Sequence, residues 1–134
     1  MSDLSGLSDL AYAAAIEIAH KIQKKELSSR ETLDYFLARV ESLDKTINSV
    51  VTIDAERARA EADAADAALA RGENLGPLHG VPMTIKDSFQ TKGMRTTSGA
   101  PELTDFVPPE DAWPVARLRE AGAIIYGKTN LPIY

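Results

Sequence analysis

The stretch Val81-Pro-Met-Thr-Ile-Lys86 decides the fold class when it is taken together with the two segments that follow it. Its apolar residues alternate with polar residues or proline, which is the two-residue period of a strand with one buried face. Asp111 is a candidate N-cap for a helix over 112–121, Gly122 follows its end, and the apolar run 123–126 predicts a buried strand. A strand, a helix and a second strand in this order predict a βαβ crossover, and therefore a parallel or mixed sheet.

Two helices are predicted near the start of the chain. The first runs from Ser8, as its N-cap, to about Lys25, and its apolar face contains Tyr12, Ala15, Ile16, Ala19 and Ile22. Ser28 and Glu31 have the S-x-x-E spacing of a capping box, in which each side chain satisfies a free backbone donor of the first turn. Apolar residues then recur every three or four positions, at Leu33, Phe36, Leu37, Val40 and Leu43.

A short strand and an alanine-rich helix separate these helices from the βαβ unit. The β-branched run 47–53 predicts a strand, and 54–71 predicts a helix because alanine has the best helix propensity. The helix carries a thin apolar stripe, which predicts a surface position, and Gly72 stands at its C-terminal cap. The stripe consists of Ala58, Ala62, Ala65 and Leu69. The segments 72–80 and 88–109 predict loops, the second of a length that is usually functional.

The composition limits the classes of function. The chain has 134 residues, of which 44% are hydrophobic, so it forms one domain or part of one and is not disordered as a whole. The net charge of -5 and the scattered basic residues argue against nucleic acid as a partner. The absence of cysteine excludes disulfides, thiol nucleophiles and thiolate zinc sites, and the two histidines, His20 and His79, belong to no spaced ligand cluster, so no metal site is expected. No apolar run could span a membrane and no secretory signal is present, so we expect a cytoplasmic protein.

The segment Gly122-Ala-Ile-Ile-Tyr-Gly127-Lys128-Thr129 matches the phosphate-loop pattern G-x-x-x-x-G-K-[ST]. A phosphate loop needs a strand before the first glycine and a helix that opens at the Lys-Thr pair. Here a predicted helix precedes Gly122, and Leu131-Pro132 disfavours a helix afterwards. This context argues against nucleotide binding, which is retained only as an alternative.

Two residues bear on hydrolytic chemistry. The chain contains no G-x-S-x-G nucleophile elbow, and His79 is predicted to bond to the backbone of a turn rather than to act as a base. Lys86 ends a predicted interior strand, and α/β sheets place ligand chemistry at such strand ends. On pattern alone, a solvated lysine or one paired with a nearby carboxylate is the simpler interpretation of Lys86.

Longer segments resemble the amidase signature family, and together they cover nearly the whole chain in the family's order. These are Gly76-Pro-Leu-His-Gly-Val-Pro-Met-Thr-Ile-Lys-Asp87, Gly93-Met-Arg-Thr-Thr-Ser-Gly99 and Val115-Ala-Arg-Leu-Arg-Glu-Ala-Gly-Ala-Ile-Ile-Tyr-Gly-Lys-Thr-Asn-Leu131, with further similarity at Glu26-Leu-Ser-Ser29 and Ile47-Asn-Ser-Val-Val-Thr52. The resemblance implies that 1–134 is the N-terminal portion of a single α/β amidase domain. A helical region over about 1–75 would precede the start of the catalytic sheet over about 76–134. Helices would surround a mixed β-sheet that this chain leaves incomplete.

The resemblance places Lys86 at the family's catalytic lysine and implies hydrolysis of a carboxylic amide through a Ser–cis-Ser–Lys triad. The family's two serines lie downstream of the Gly-Lys-Thr-Asn segment, outside this chain. The chain alone is therefore expected to be inactive and to need the remainder of the amidase domain. Because an ammonium cannot act as a base, the lysine must be desolvated. We therefore expect Asp87 to point away from the Lys86 amine, held by loop backbone donors or by a hydroxyl.

Two further functions stay open at this point. A glutamine-dependent amidotransferase subunit of the A type would use the same chemistry on glutamine inside a larger complex. A non-catalytic interaction module would instead recruit another chain through an open sheet edge. In the amidase interpretation the partner is a small-molecule amide, with neither nucleic acid nor a membrane, and no cofactor or metal is implied. A homo-oligomer remains open.

Overall fold

The computed structural model describes residues 8–133, and these form a mixed α/β structure, which confirms the predicted fold class. The helices are α1 (Ala15–Gln23), α2 (Ser29–Leu43), α3 (Ala55–Ala70) and α4 (Trp113–Glu120). The strands are β1 (Val50–Ile53), β2 (Pro82–Lys86) and β3 (Ile124–Thr129). Residues 1–7 and 134 of the predicted unit 1–134 lie outside the described residues.

The three strands form one mixed sheet in the order β1-β3-β2. β2 and β3 are parallel and connected through α4, which confirms the predicted βαβ crossover, while β1 pairs with β3 in the antiparallel sense. Lys86 lies opposite Thr129 in the register of the parallel pair. The expectation that Lys86 ends an interior strand is wrong for the described residues, because β2 is an edge strand of this sheet.

β3 is longer than predicted and includes the Gly-Lys-Thr string that resembles a phosphate loop. Gly127 pairs with Ile53 on one side and with Thr84 on the other, so the string lies inside a ladder. A Cβ at Gly127 would stand 2.8 Å from the carbonyl oxygen of Thr52, which explains why a glycine occupies this position. The phosphate-loop interpretation is therefore wrong, because the string forms neither a loop nor the start of a helix.

The N-terminus of α2 is closed by two sets of contacts. The Ser28 Oγ accepts the backbone N–H of Glu31 at 2.9 Å, and the Glu31 carboxylate accepts that of Ser28 at 3.0 Å, which confirms the predicted capping box. The carboxylate of Asp66 on α3 accepts the two free backbone donors between these residues, from Ser29 N at 2.7 Å and from Arg30 N at 3.0 Å. This carboxylate joins the two helices at the point where α2 begins.

The first predicted helix is divided. A 3-10 turn covers Ser8–Tyr12, and α1 begins only at Ala15. Tyr12 is 95% exposed and Ile16 is 51% exposed, so the prediction that both lie on the buried face is wrong. The break removes Tyr12 from the helical phase of α1, and Leu10 enters the core in its place. The buried face of α1 consists of Ile18, Ala19 and Ile22.

Helices cover both faces of the sheet. On one face α2 and α3 pack through a cluster made of Leu33, Ala58, Ala62, Ala65, Ile124 and Tyr126. On the other face α4 contributes Val115, which packs with Ile85, Met94 and Ile125. Successive residues of β3 alternate between the two clusters, as the pleat of a strand requires. The alanine stripe of α3 is thus buried against α2 and β3, while the opposite face of the helix is exposed.

Candidate functional site

The candidate site lies where the parallel strands β2 and β3 end side by side. Lys86 is the last residue of β2, its side chain is exposed, and the long loop 88–109 starts two residues later. Among the described residues its amine makes no hydrogen bond or ion pair. The described part of the chain therefore presents this amine to solvent, and the loop does not cover it.

Asp87 points in the opposite direction, into the protein, and is 1% exposed. Its Oδ2 accepts a hydrogen bond from the Thr97 backbone N–H at 3.0 Å and another from the Thr97 hydroxyl at 2.6 Å. Its backbone carbonyl accepts the N–H of Ser98 at 3.1 Å. This geometry agrees with the orientation expected from the sequence, in which loop donors and a hydroxyl hold the carboxylate away from Lys86.

The other oxygen of this carboxylate faces a lysine that sequence reasoning missed. Lys128 of β3 is fully buried, and its Nζ lies 3.3 Å from Asp87 Oδ1. The same ammonium donates to the carbonyl of Phe89 and to the hydroxyl of Thr96, each at 2.9 Å. Burial lowers the pKa of Lys128 because it removes water from the charged form, and the attraction of Asp87 opposes this effect only in part.

The position of Lys128 in the sequence contains a signal for this burial. It follows the buried run 123–126 without a turn residue other than Gly127. A lysine that continues a strand of this kind has to be paired if it is buried. The resemblance to the amidase signature family explains the Gly-Lys-Thr-Asn string only as family framework, and it assigns no partner to this side chain.

Asp111 holds the far end of the loop rather than capping α4. Its carboxylate accepts the backbone N–H of Lys92 at 2.7 Å and the Nε of Arg119 at 2.9 Å. Ala112, not Asp111, occupies the N-cap position of α4. The prediction of a cap at Asp111 is wrong because a backbone donor of the loop and a guanidinium of α4 use both carboxylate oxygens.

His79 has a structural role, as the sequence predicted. It is fully buried, its Nδ1 accepts the N–H of Leu75 at 2.9 Å, and its Nε2 lies 2.9 Å from the Ala65 carbonyl oxygen. Because Nδ1 accepts, the ring proton is assigned to Nε2, which donates to this carbonyl. Both nitrogens are engaged, so the ring joins the loop before β2 to α3.

Within residues 8–133 no cluster of three or more His, Asp or Glu residues is arranged to hold a metal ion. None of the helices in this range is long and apolar enough to cross a membrane. The cytoplasmic location expected from the sequence stays a prediction.

Comparison with known proteins identifies relatives for most of the chain. A family model described as Amidase matches residues 31–134. The A-type subunit of glutamyl-tRNA(Gln) amidotransferase from Moorella thermoacetica is 47% identical over 123 residues, which are 92% of this chain and 25% of that protein. The corresponding protein of Halorhodospira halophila is 50% identical over 115 residues, covering 86% of this chain and 24% of that protein.

Solved structures give the same picture. The native peptide amidase of Stenotrophomonas maltophilia superposes with a TM-score of 0.83 at 35% identity, covering 90% of this chain and 25% of that one. Fatty acid amide hydrolase superposes with a TM-score of 0.84 at 27% identity, covering 92% of this chain and 22% of that one. The chain therefore spans about a quarter of the length of the relatives it matches.

Proposed function

Because the chain belongs to the amidase signature family, we propose that it supplies the N-terminal part of an enzyme that hydrolyses a carboxylic amide, with Lys86 as the proton acceptor. The observation that carries the proposal is the opposite orientation of two neighbouring residues. Asp87 is turned inward onto Thr97 and Lys128, and the Lys86 amine at the end of β2 has no partner within residues 8–133. An unpaired amine is what a general base requires, since an ion pair would favour its charged form.

The proposed reaction begins with a proton relay through the hydroxyls of two serines. The neutral amine of Lys86 accepts a proton from the cis-serine, which accepts one from the nucleophilic serine. The nucleophilic oxygen then bonds to the amide carbon. The carbon–nitrogen bond of the substrate breaks, and the leaving nitrogen takes up the proton that Lys86 returns through the same relay. Water then attacks the acyl-enzyme ester and releases the carboxylic acid. Both serines and the oxyanion donors are expected in the part of the relatives' length that this chain does not span.

The same missing part has to supply a cover for the amine. A free lysine is charged at neutral pH, since its ordinary pKa is about 10.4. Lys86 is exposed within this chain, so the described residues do not desolvate it. We propose that the remainder of the amidase domain closes over the end of β2 and favours the neutral amine.

Replacement of Lys86 in the full-length protein tests this proposal. Lys86→Met removes the base, and we expect turnover of a small aryl amide to fall by about 10²- to 10⁴-fold, the usual contribution of general-base catalysis. Lys92→Met is the matched control, because Lys92 is an exposed lysine of the same loop region, and its turnover should stay near that of the unmodified enzyme. Circular dichroism checks that both variants are folded. Near-normal turnover in Lys86→Met would contradict the assignment.

A second candidate is an amidotransferase component that acts on glutamine. It is favoured by the curated relatives, which are A-type subunits of glutamyl-tRNA(Gln) amidotransferase and are 43% to 50% identical. Lys86 would have the same role in an amidase and in an amidotransferase. The two candidates therefore have to be distinguished by their substrate and by their partner subunits. The full-length protein should be purified from its own cells and assayed with glutamine and with simple amides. Ammonia release from glutamine that depends on a copurifying partner would favour the amidotransferase, and turnover of simple amides by the isolated protein would favour the amidase.

A further inference from the structure

A buried ammonium lies beside the strand end that carries the proposed base. Lys128 on β3 is fully buried, and in the register of the parallel pair it lies opposite Ile85, one residue before Lys86. Burial of an ammonium is costly unless the charge is paired and hydrogen-bonded. A methionine would fill a similar volume without that cost, so the charge is expected to do more than pack.

The contacts of the Lys128 ammonium show where its charge acts. It neutralises Asp87 at 3.3 Å, and it donates to the Phe89 carbonyl and the Thr96 hydroxyl at the start and middle of the long loop. Asp87 Oδ1 has no hydrogen bond among the described residues, so the ammonium is its main source of compensation. Lys128 therefore fixes both the carboxylate and the loop segment that follows it.

We propose that Lys128 is a positioning residue for Lys86, which keeps the neighbouring carboxylate of Asp87 inside the protein and leaves the Lys86 amine free to accept a proton. This inference rests on the proposed function of Lys86. Without the Lys128 ammonium, the carboxylate of Asp87 would be buried without a counter-charge. The cation next to Asp87 in the chain is the ammonium of Lys86, which would then be available to pair with it. An ion pair between these two residues would stabilise the charged form of Lys86 and oppose its action as a base.

The charged groups that act on the pair of Asp87 and Lys128 are few among the described residues. Asp111, which lies before α4, attracts the Lys128 ammonium more weakly than Asp87 does. Within residues 8–133 the other hydrogen-bond partners of the Asp87 and Lys128 side chains are neutral: the Phe89 carbonyl, the Thr96 hydroxyl, and the hydroxyl and backbone N–H of Thr97. Within the described residues, the pH response of the site is therefore expected to depend on Lys86, Asp87 and Lys128, with a smaller contribution from Asp111.

The test is the pH dependence of kcat/KM in the full-length protein. In Lys128→Met we expect the acid limb to move to higher pH by at least about one unit, which is about a tenfold loss at a fixed pH on that limb. In the double variant Lys128→Met with Asp87→Asn the side chain at position 87 carries no charge that could pair with Lys86, and the limb should return to its original position. If Lys128 had a purely structural role, Lys128→Met would lower kcat/KM at every pH without moving the acid limb.

Each result of this test supports or overturns the role of Lys128. An unmoved limb in folded Lys128→Met, or a limb that the double variant does not restore, would overturn the inference. If Lys128→Met does not fold, a crystal structure of the unmodified full-length protein decides. Asp87 bonded to Lys128 supports the inference, and Asp87 bonded to Lys86 overturns it. Near-normal turnover in Lys86→Met would instead show that the proposed function itself fails, which is a different result from any of these.

Discussion

The carboxylate of Asp66 is predicted to make a large contribution to stability for a partly exposed side chain. It lies on α3 but satisfies the first two backbone donors of α2, at 2.7 Å and 3.0 Å. Replacement by alanine would leave both donors without a protein partner and would remove a negative charge from the N-terminal end of a helix, where the macrodipole favours one. The change Asp66→Ala therefore tests how far this contact holds the helical layer together.

The magnitude follows from these contacts. A hydrogen bond to a charged group contributes about 1.5–3 kcal/mol, and a carboxylate at a helix N-terminus adds about 0.3–1 kcal/mol. Because Asp66 is only partly buried, water replaces some of what is lost. The expected loss in the free energy of unfolding is about 2–4 kcal/mol.

The matched control is Asp63→Ala, one turn earlier on the same helix. Asp63 pairs with the Arg30 side chain at 2.7 Å, but both side chains are exposed, and exposed ion pairs contribute little. Urea unfolding followed by circular dichroism measures both variants. Equal losses in the two variants, or a negligible loss in Asp66→Ala, would refute the assignment of the helix-joining role to Asp66.

Three other predictions concern the sheet and the chain as a unit. Gly127→Ala places a Cβ 2.8 Å from the Thr52 carbonyl oxygen, and this crowding is expected to lower the free energy of unfolding by about 1–3 kcal/mol. Urea unfolding measures the loss, and an unchanged midpoint would contradict the close approach of β1 to Gly127. The hydroxyl of Ser49 and the backbone N–H groups of Ser49 and Val50 lower the pKa of Asp44 below its ordinary value of 3.8. The stability from Asp44 is therefore present above about pH 4 and lost as the pH falls through the lowered pKa, so the difference in urea midpoint between the protein and Asp44→Asn should shrink in acid. A difference that is independent of pH would contradict this. Residues 1–134 alone should be inactive, and size-exclusion chromatography should show self-association through the outer edge of β2, which pairs with no strand of residues 8–133. A monomer with a cooperative melting transition would instead favour the interaction module.

The parts of the fold that could be predicted depend on local patterns. The alternation in β2 and the glycine after α4 are short-range signals, and the βαβ unit followed from them. The capping box of Ser28 and Glu31 is a four-residue motif, and the structure contains both of its hydrogen bonds. The backbone contacts of His79 followed from the small number of partners that an imidazole needs.

The parts that could not be predicted depend on contacts between distant segments. Lys128 pairs with a carboxylate that follows another strand, and Gly127 and Lys128 have low strand propensity that pairing on both sides of β3 overrides. Asp111 precedes a helix in the pattern of a cap, but Lys92 and Arg119 occupy its oxygens. The exposure of Lys86 depends on which residues cover β2, and the local sequence does not contain that information.

The central claim, that Lys86 supplies an uncharged amine, is tested most directly by the pH dependence of its chemical labelling in the full-length protein. Only neutral amines react with an acylating reagent, and mass spectrometry of peptides gives the rate at each lysine separately. If Lys86 supplies an uncharged amine, its labelling in the full-length protein reaches half its maximum at a clearly lower pH than the labelling of Lys92, an exposed lysine of the loop that follows β2. Parallel curves for the two lysines would show that Lys86 stays charged at the pH of catalysis and would contradict the claim.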